Sequence, residues 1–460
     1  MNVYKINDDS MFLNEYLYIV KGNIKNIDFD KLETLIKLSD NSIGKRLNNY
    51  EYIDKRFDKK KLKLNYIYPN TAGICLTDLC QFRCNYCSFS SSDKGKTLEY
   101  DSVKVFIDYI FRNAILRGKI SNNKEYVSFY FAGGGEPTLN FELLKRCVLY
   151  IREKEKNTCV KAYINMTTNG YLNNEQLEFI SQNFDYVLVS FDGNEYFQNQ
   201  NRKVYNGEKS FDVVDNTIKY LINKNILVEL RSTIWIKDFE KIKDMYLFII
   251  NRYPKIRNWD IEPVAPVGRA KFNTDFKSNN NILNHYNLYS HYIALKEYIY
   301  EYNLPNILTC GKFKDSKVDF LCGTILGFNP WLVTNNNIIT CLDAKDNATL
   351  LGTINNGAII FNEYYDLNAE IFMNNIEKCK SCFAFPFCGS GCPLKNSSDE
   401  YSYTSNWECN EIKKYWEIVL NHLAENEEYI GWKLEKLNID KFDDFSIYKI
   451  KRSDKYENIN

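Results

Sequence analysis

The chain has 460 residues, 45% hydrophobic and 15% aromatic, enough to bury a substantial core in roughly two to four domains. Lysine plus arginine and aspartate plus glutamate both number 59, so no global basic field points to nucleic acid as a partner. The acidic start, Met1 to Asp9, lacks a secretory signal and no apolar run is long enough to span a bilayer, which places the chain in the cytoplasm with no membrane partner. In that reducing compartment, 14 cysteines read as metal-binding or catalytic rather than as a disulfide framework.

Residues 1–68 stand apart as a small N-terminal domain, with short strands around 16–21, a helix near 29–39 and a charged stretch at 55–63 that reads as a solvated linker. Residues 69–267 alternate strands and helices. The strands are expected at 73–77, 126–132, 160–167, 186–191, 226–236 and 259–263, and the helices between them at 102–116, 141–153, 175–182 and 210–222. The predicted fold class is therefore α/β, a partial (β/α)6 TIM-like barrel with its chemistry on the loops after the strand C-termini. Residues 268–320 form a helical bridge in which Tyr286, Tyr289, Tyr292, Tyr298 and Tyr300 read best as a packed helix face. Residues 321–415 are cysteine-rich with few periodic segments, as in a region organised by metal, and residues 416–460 are a helix followed by a polar tail.

Cys80, Cys84 and Cys87 follow directly on the first barrel strand. Three thiolates can bind three irons of a cubane and leave the fourth iron open, whereas a zinc knuckle closed by Cys75 is the alternative from the triplet alone. Gly133-Gly134-Gly135-Glu136-Pro137, Thr167-Thr168-Asn169-Gly170 and Ser190-Phe191-Asp192-Gly193 end the next three strands, and Glu262-Pro263-Val264 the last. The Cys-x3-Cys-x2-Cys spacing, with aromatic Tyr86 before the last cysteine and these loops behind it, resembles the radical S-adenosylmethionine (SAM) superfamily. That resemblance implies a 4Fe-4S cluster on the three cysteines and a SAM site contacted by Tyr86, Gly134, Gly135, Glu136, Thr168, Asn169, Ser190, Asp192, Arg202 and Val264. Ser190 and Arg202 would bind the cofactor carboxylate or ribose, and Asp192 would shape the loop. For Arg202 taken alone, a surface ion pair is the plainer reading.

Cys379, Cys382, Cys388, Cys392 and Cys409 form a second array, with Cys322 and Cys341 upstream. The array resembles the SPASM domain of radical enzymes that act on peptides and proteins, and implies two auxiliary 4Fe-4S clusters. One would use Cys322, Cys341 and Cys392 with Cys310 as a candidate fourth ligand, the other Cys379, Cys382, Cys388 and Cys409. The family's glycine five residues before the cysteine matched by Cys341 is Asn336 here, a residue that also tolerates a left-handed turn. Four-cysteine spacing is shared with zinc, so two zinc sites in a non-catalytic interaction protein remain the alternative. Cys75, Cys147 and Cys159 fit no cluster pattern, and His285, His291 and His422 have no ligand spacing.

The resemblance implies a radical SAM/SPASM oxidoreductase that modifies a precursor peptide or protein by thioether or other crosslinking, drawing electrons from flavodoxin or ferredoxin. The N-terminal segment would then bind a leader peptide or simply cap the barrel. An anaerobic sulfatase-maturating enzyme is the second possibility. That group has an aspartate immediately after the cysteine matched by Cys341; Leu342 stands there, and Asp343, one place later, is the candidate base.

Overall fold

The structure is a computed structural model that describes residues 3–13, 17–25, 27–32, 36, 68–121, 124–265, 267–272, 288–311, 313, 329–342, 350–362, 374, 377–379, 381–392, 402–437 and 445–453. The expected linker at 55–63, together with Cys322 and Asp343, lies outside them.

Strands β1 (Val3–Asn7), β2 (Ser10–Leu13) and β3 (Tyr18–Gly22) open the chain. The barrel strands follow: β4 (Thr71–Ile74), β5 (Tyr126–Phe131), β6 (Lys161–Thr168), β7 (Tyr186–Ser190), β8 (Leu227–Ile234) and β9 (Asn258–Pro263). A short β10 (Leu308–Cys310) adds a seventh strand beyond the six expected, and every neighbouring pair from β4 to β10 is parallel. Three residues are too few to carry a periodicity, so β10 has no signature of its own.

Sides alternate along these strands as a pleated sheet requires. In β5, Val127, Phe129 and Phe131 are buried and join one core with Val103, Phe106, Ile107 and Ile110 of the helix Tyr100–Ser121. The opposite face is polar: Tyr130 Oη lies 2.7 Å from Thr167 Oγ1, Tyr186 Oη donates to Glu229 at 2.8 Å, and Arg231 pairs with Asp260 at 2.8 Å. Helix starts follow local chemistry. Asn173 and Gln176 form a reciprocal capping box at the helix Asn174–Asn183, satisfying backbone groups that the first turn leaves open.

Beyond β4 the sheet continues through β11 (Trp331–Leu332), parallel to β4, then antiparallel β12 (Asn337–Ile339), β13 (Leu350–Asn355) and β14 (Ala358–Phe361). Gly73 permits that junction, because a Cβ there would lie 2.1 Å from the Trp331 ring. Asn336 takes the left-handed turn its sequence allows, at φ 63°. The expected tyrosine-rich helix is Leu288–Glu301, and Tyr292 on it is buried against Phe313 and Tyr415, as a packed face requires.

Strands β15 (Glu428–Tyr429), β16 (Trp432–Lys436) and β17 (Phe445–Arg452) close the chain. They join the first three in one antiparallel sheet of order β1-β2-β3-β17-β16-β15. The stretch read as a polar tail is thus largely strand. Ile447 of β17 packs on one side with Met11, Leu13, Tyr18 and Val20, while Ile450 joins the main core on the other. A strand covered on both faces shows no clean alternation, and the intervening lysines give it a polar look. No described helix is long and apolar enough to cross a membrane.

Candidate functional site

The loop after β4 carries Cys80, Cys84 and Cys87 at the C-terminal edge of the barrel. Backbone bonds fix it on several sides: Cys80 N–H donates to Ser92 O at 2.7 Å, Arg83 N–H to Lys203 O at 2.7 Å and Asn85 N–H to Asn201 O at 3.1 Å. Arg83 also bonds the carbonyls of Cys80 and Phe82 at 2.8 and 3.0 Å and pairs with Asp93 at 2.6 Å. Burial pushes the Cys80 thiol up to about 11 and Cys84 up to about 12, the latter opposed by the Arg202 charge. Cys80 and Cys87 each raise Cys84 further, so the three sulfurs lie within electrostatic reach of one another.

Among the described residues no three His, Cys, Asp or Glu side chains have the spacing to hold a lone metal ion. Three soft sulfurs on one loop, with the Phe82 N–H directed at Cys80 Sγ at 3.4 Å, suit a cluster in which each thiolate takes its own iron. Cys75, the candidate fourth zinc ligand, is engaged by backbone carbonyls instead. Its buried thiol donates to Gly133 O at 3.2 Å.

The glycine turn after β5 is docked on this loop. Gly135 N–H donates to Thr77 O at 2.8 Å and Glu136 N–H to Leu79 O at 2.7 Å, and a Cβ at Gly135 would sit 1.8 Å from Leu79 O. Gly134, at φ 63°, also comes close to Cys75 Sγ, 2.5 Å from where its Cβ would stand. These two glycines are therefore required by the chain's own packing. Glu136 is buried and faces inward. One oxygen accepts from Thr138 Oγ1 and Thr168 Oγ1 at 2.8 and 2.9 Å, and the other from Asn169 N–H at 2.7 Å. Burial raises its proton affinity despite those donors. Asn169 continues the line, its amide reaching Gln81 Oε1 at 3.2 Å and Cys80 Sγ at 3.9 Å. Glu136 and Thr168 thus position Asn169 and, through it, the first cysteine.

Tyr86, Asp192 and Arg202 form a second buried group. Tyr86 donates to Asp192 Oδ2, and Asp192 Oδ1 accepts from Arg202 Nε at 3.1 Å and Thr233 N–H at 3.2 Å. Arg202 is not a surface ion pair. Burial alone would weaken its hold on the proton, but Asp192, Tyr86 and Cys84 outweigh that and strengthen it. Tyr86 also packs with Trp235, Val264 and Ala270 against Cys84. Ser190 ends β7 half-buried, in register with Arg231 of β8.

In the second array, Cys382 N–H donates to Cys379 O at 2.8 Å and Cys388 N–H to Ala384 O at 2.9 Å, and a left-handed Gly389 at φ 58° ends the short helix Phe385–Cys388. Burial pushes Cys388 up to about 12, with Cys409, Cys379 and Cys382 all adding to the shift, so these four sulfurs form one electrostatic group. Of the other set, Cys310 ends β10 in the core, Cys341 follows β12 and Cys392 follows the Gly391 turn. Leu342 packs towards Gly133, its Cδ1 2.3 Å from where a Cβ would stand, which joins the second region to the first. Sequence reasoning overlooked Arg269 and Trp235, which touch the cysteine loop from distant segments, and Gln81 within the loop itself; none of them carries a spacing signal.

A parallel barrel with a three-sulfur loop after its first strand, and loops from the next strands locked onto it, defines a radical SAM enzyme. Residues 74–249 match the model of the Radical SAM superfamily, and a cysteine-rich region follows the barrel. The chain is 22% identical over 377 residues to the Cysteine-type anaerobic sulfatase-maturating enzyme of Clostridium perfringens (strain ATCC 13124), covering 75% of this chain and 94% of that protein. The protein of the same name in Clostridium novyi (strain NT) is 20% identical over 366 residues, covering 75% and 93%. Among solved structures, native anSMEcpe with bound AdoMet superposes with a TM-score of 0.58 at 16% identity, over 78% of this chain and 100% of that one. Streptococcus suis SuiB bound to S-adenosylmethionine gives 0.51 at 15% identity, over 86% and 97%.

Proposed function

We propose that the protein is an oxidative peptide or protein maturase that binds SAM at a 4Fe-4S cluster on Cys80, Cys84 and Cys87 and holds two auxiliary clusters in its cysteine-rich region. The observation that carries this reading is the convergence of the three sulfurs with Asn169, Tyr86 and Arg202, side chains from three different segments, at one end of the barrel. When bound, cluster and cofactor together supply a 5′-deoxyadenosyl radical able to take hydrogen from an unactivated carbon.

The chain's own part is positioning and exclusion of water. Ser190 and the buried Arg202 offer a hydroxyl and a guanidinium to the methionine carboxylate. Asp192 keeps Arg202 charged and oriented, since an unpaired buried guanidinium would be strongly disfavoured. Val264 with Tyr86 and Trp235 forms an apolar surface for the adenine end. Glu136 fixes Asn169 beside Cys80. Cys379, Cys382, Cys388 and Cys409 hold one auxiliary cluster, and Cys322, Cys341 and Cys392 the other, with Cys310 as its candidate fourth ligand, giving a store for the electron that a net oxidation releases. Flavodoxin or ferredoxin supplies the reducing electron.

A ribosomal precursor peptide that acquires a crosslink is the leading substrate. β1 stands at one end of the terminal sheet with alternately exposed residues, an edge to which an extended leader peptide can add as a strand. Formylglycine formation in a sulfatase is the second reading, favoured by the curated relatives, with Asp343 as its base. Anaerobically purified protein should be brown and carry about twelve irons from three clusters; colourless protein with stoichiometric zinc would sink the proposal. Cys84→Ala should lose about four irons and all deoxyadenosine formation. Mass spectrometry after co-expression with a cysteine-rich peptide or with a sulfatase then separates the two substrates.

A further inference from the structure

After β9 the chain passes Val264, turns at Gly268 and enters a short helical segment, Gly268–Phe272. Arg269, in that segment, meets the cysteine loop through three donors. Its backbone N–H bonds Cys87 O at 3.0 Å, Nη1 bonds Cys84 O at 2.7 Å, and Nη2 bonds Ser91 O. Gly268, at φ 55°, is pressed onto the same loop; a Cβ there would lie 2.1 Å from Cys87 O and 2.5 Å from Ser88 O. The turn is therefore shaped to bring Arg269 to these carbonyls.

We propose that Arg269 is a positioning residue that clamps residues 84–91 to the end of the last long barrel strand and so couples SAM binding to the geometry of the cluster loop. Arg83 holds the first half of the loop through the carbonyls of Cys80 and Phe82. Arg269 holds the second half, which bears the other two cysteines. Only a guanidinium suits this task, because its fork reaches two separated carbonyls at once while a lysine ammonium is a single point. Five residues before Arg269 stands Val264, and one after it Ala270; both pack with Tyr86 and Trp235 against Cys84. A group bound against Val264 is thus felt at Cys84 and Cys87 by two routes, the apolar cluster and the Arg269 bonds. The inference rests on reading Cys80, Cys84 and Cys87 as cluster ligands.

The test uses full-length holoenzyme and two readouts, the SAM dissociation constant and the SAM-induced change in the EPR spectrum of the reduced protein. Arg269→Gln should weaken SAM binding by about tenfold to a hundredfold, the scale of one or two lost charge-assisted hydrogen bonds. It should also blunt the EPR change and speed iron loss to a chelator. Arg269→Lys should fall between the two, Gly268→Ala should follow Arg269→Gln, and added guanidinium ion should restore SAM binding to Arg269→Gly. Wild-type SAM affinity and EPR response in Arg269→Gln, or in Arg269→Lys should the former fail to fold, would overturn the proposal, as would no guanidinium rescue of Arg269→Gly. If the wild-type protein itself gives no SAM-dependent EPR change, the cluster assignment fails rather than the clamp.

Discussion

Asp192 lies at the centre of the buried group that joins the cysteine loop to β7 and β8, and the cost of neutralising it follows from its contacts. Asp192→Asn keeps the shape but removes the charge that faces Arg202, whose side chain is 8% exposed against 2% for Asp192. Two unit charges about 4 Å apart in a medium of effective dielectric about 20 attract by about 4 kcal/mol, and breaking a buried pair by deleting one partner costs about 3–5 kcal/mol. Tyr86 loses its strong acceptor as well. The expected response is local opening, so hydrogen exchange read by mass spectrometry is the assay. A loss of about 4 kcal/mol corresponds to about a thousandfold faster opening-limited exchange in peptides spanning residues 83–90 and 192–204. The double replacement Asp192→Ala with Arg202→Met removes both charges and should recover most of that protection, because a buried pair replaced by apolar groups is often near neutral in stability. SAM binding should stay weak in the double variant, since Arg202 is gone. Less than tenfold faster exchange in Asp192→Asn, or a double variant that merely sums the two single losses, would refute the reasoning.

Gly135→Ala should prevent the cysteine loop from closing, because its methyl would overlap Leu79 O, and should cost about a third of the bound iron together with deoxyadenosine formation. Gly207→Ala is the matched control: at φ 86° it strains the backbone but meets nothing within 4 Å, so it should retain full iron content. At Asp215 the sign of a pH effect can be worked out. Burial alone would raise its proton affinity, but bonds from Arg252, Lys219 and Tyr253 pull it down to about 2 from 3.8. A carboxylate depressed in the fold stabilises above its unfolded value and loses that contribution as pH falls through the folded one, here from about pH 4 towards 2. The shift corresponds to about 2 kcal/mol, and less after allowing for the exposure of Arg252 and Lys219. Hydrogen exchange in the helices Phe211–Asn223 and Ile242–Arg252, corrected for intrinsic rates, should accelerate on acidification in wild type and respond less in Asp215→Asn. An equal response in both proteins would show that Asp215 does not govern the contact.

The barrel strands and the loops at their ends were legible because each strand buries a β-branched or aromatic face under helices, and the apolar runs sit between glycine-containing turns. Gly134, Gly135, Glu136 and Thr168 were singled out by motif, yet much of what they do is internal. The glycines admit Leu79 O and Cys75 Sγ, and Glu136 gathers donors from two loops. A motif marks where a residue is needed and not which neighbour needs it. Arg269 and Trp235 escaped notice for the complementary reason: their partners lie far off in sequence, and an arginine after a glycine is common enough to carry no local signal. The last strands were hidden by lysine-rich composition and by burial of both faces.

The pairing of β3 with β17 also bears on how the protein is made. Residues 18–22 are synthesised more than 400 residues before their partners, 445–449, so this pairing has a high sequence separation and forms late relative to the barrel's local contacts. The barrel and its cysteine loop, built from contacts between nearer segments, can assemble before then. The β1 edge, offered above as the place where a substrate leader would dock, therefore gains its full supporting sheet only once β17 has paired with β3. Such long-range pairing would make the loss of residues 445–449 felt at residues 18–22, and the reverse.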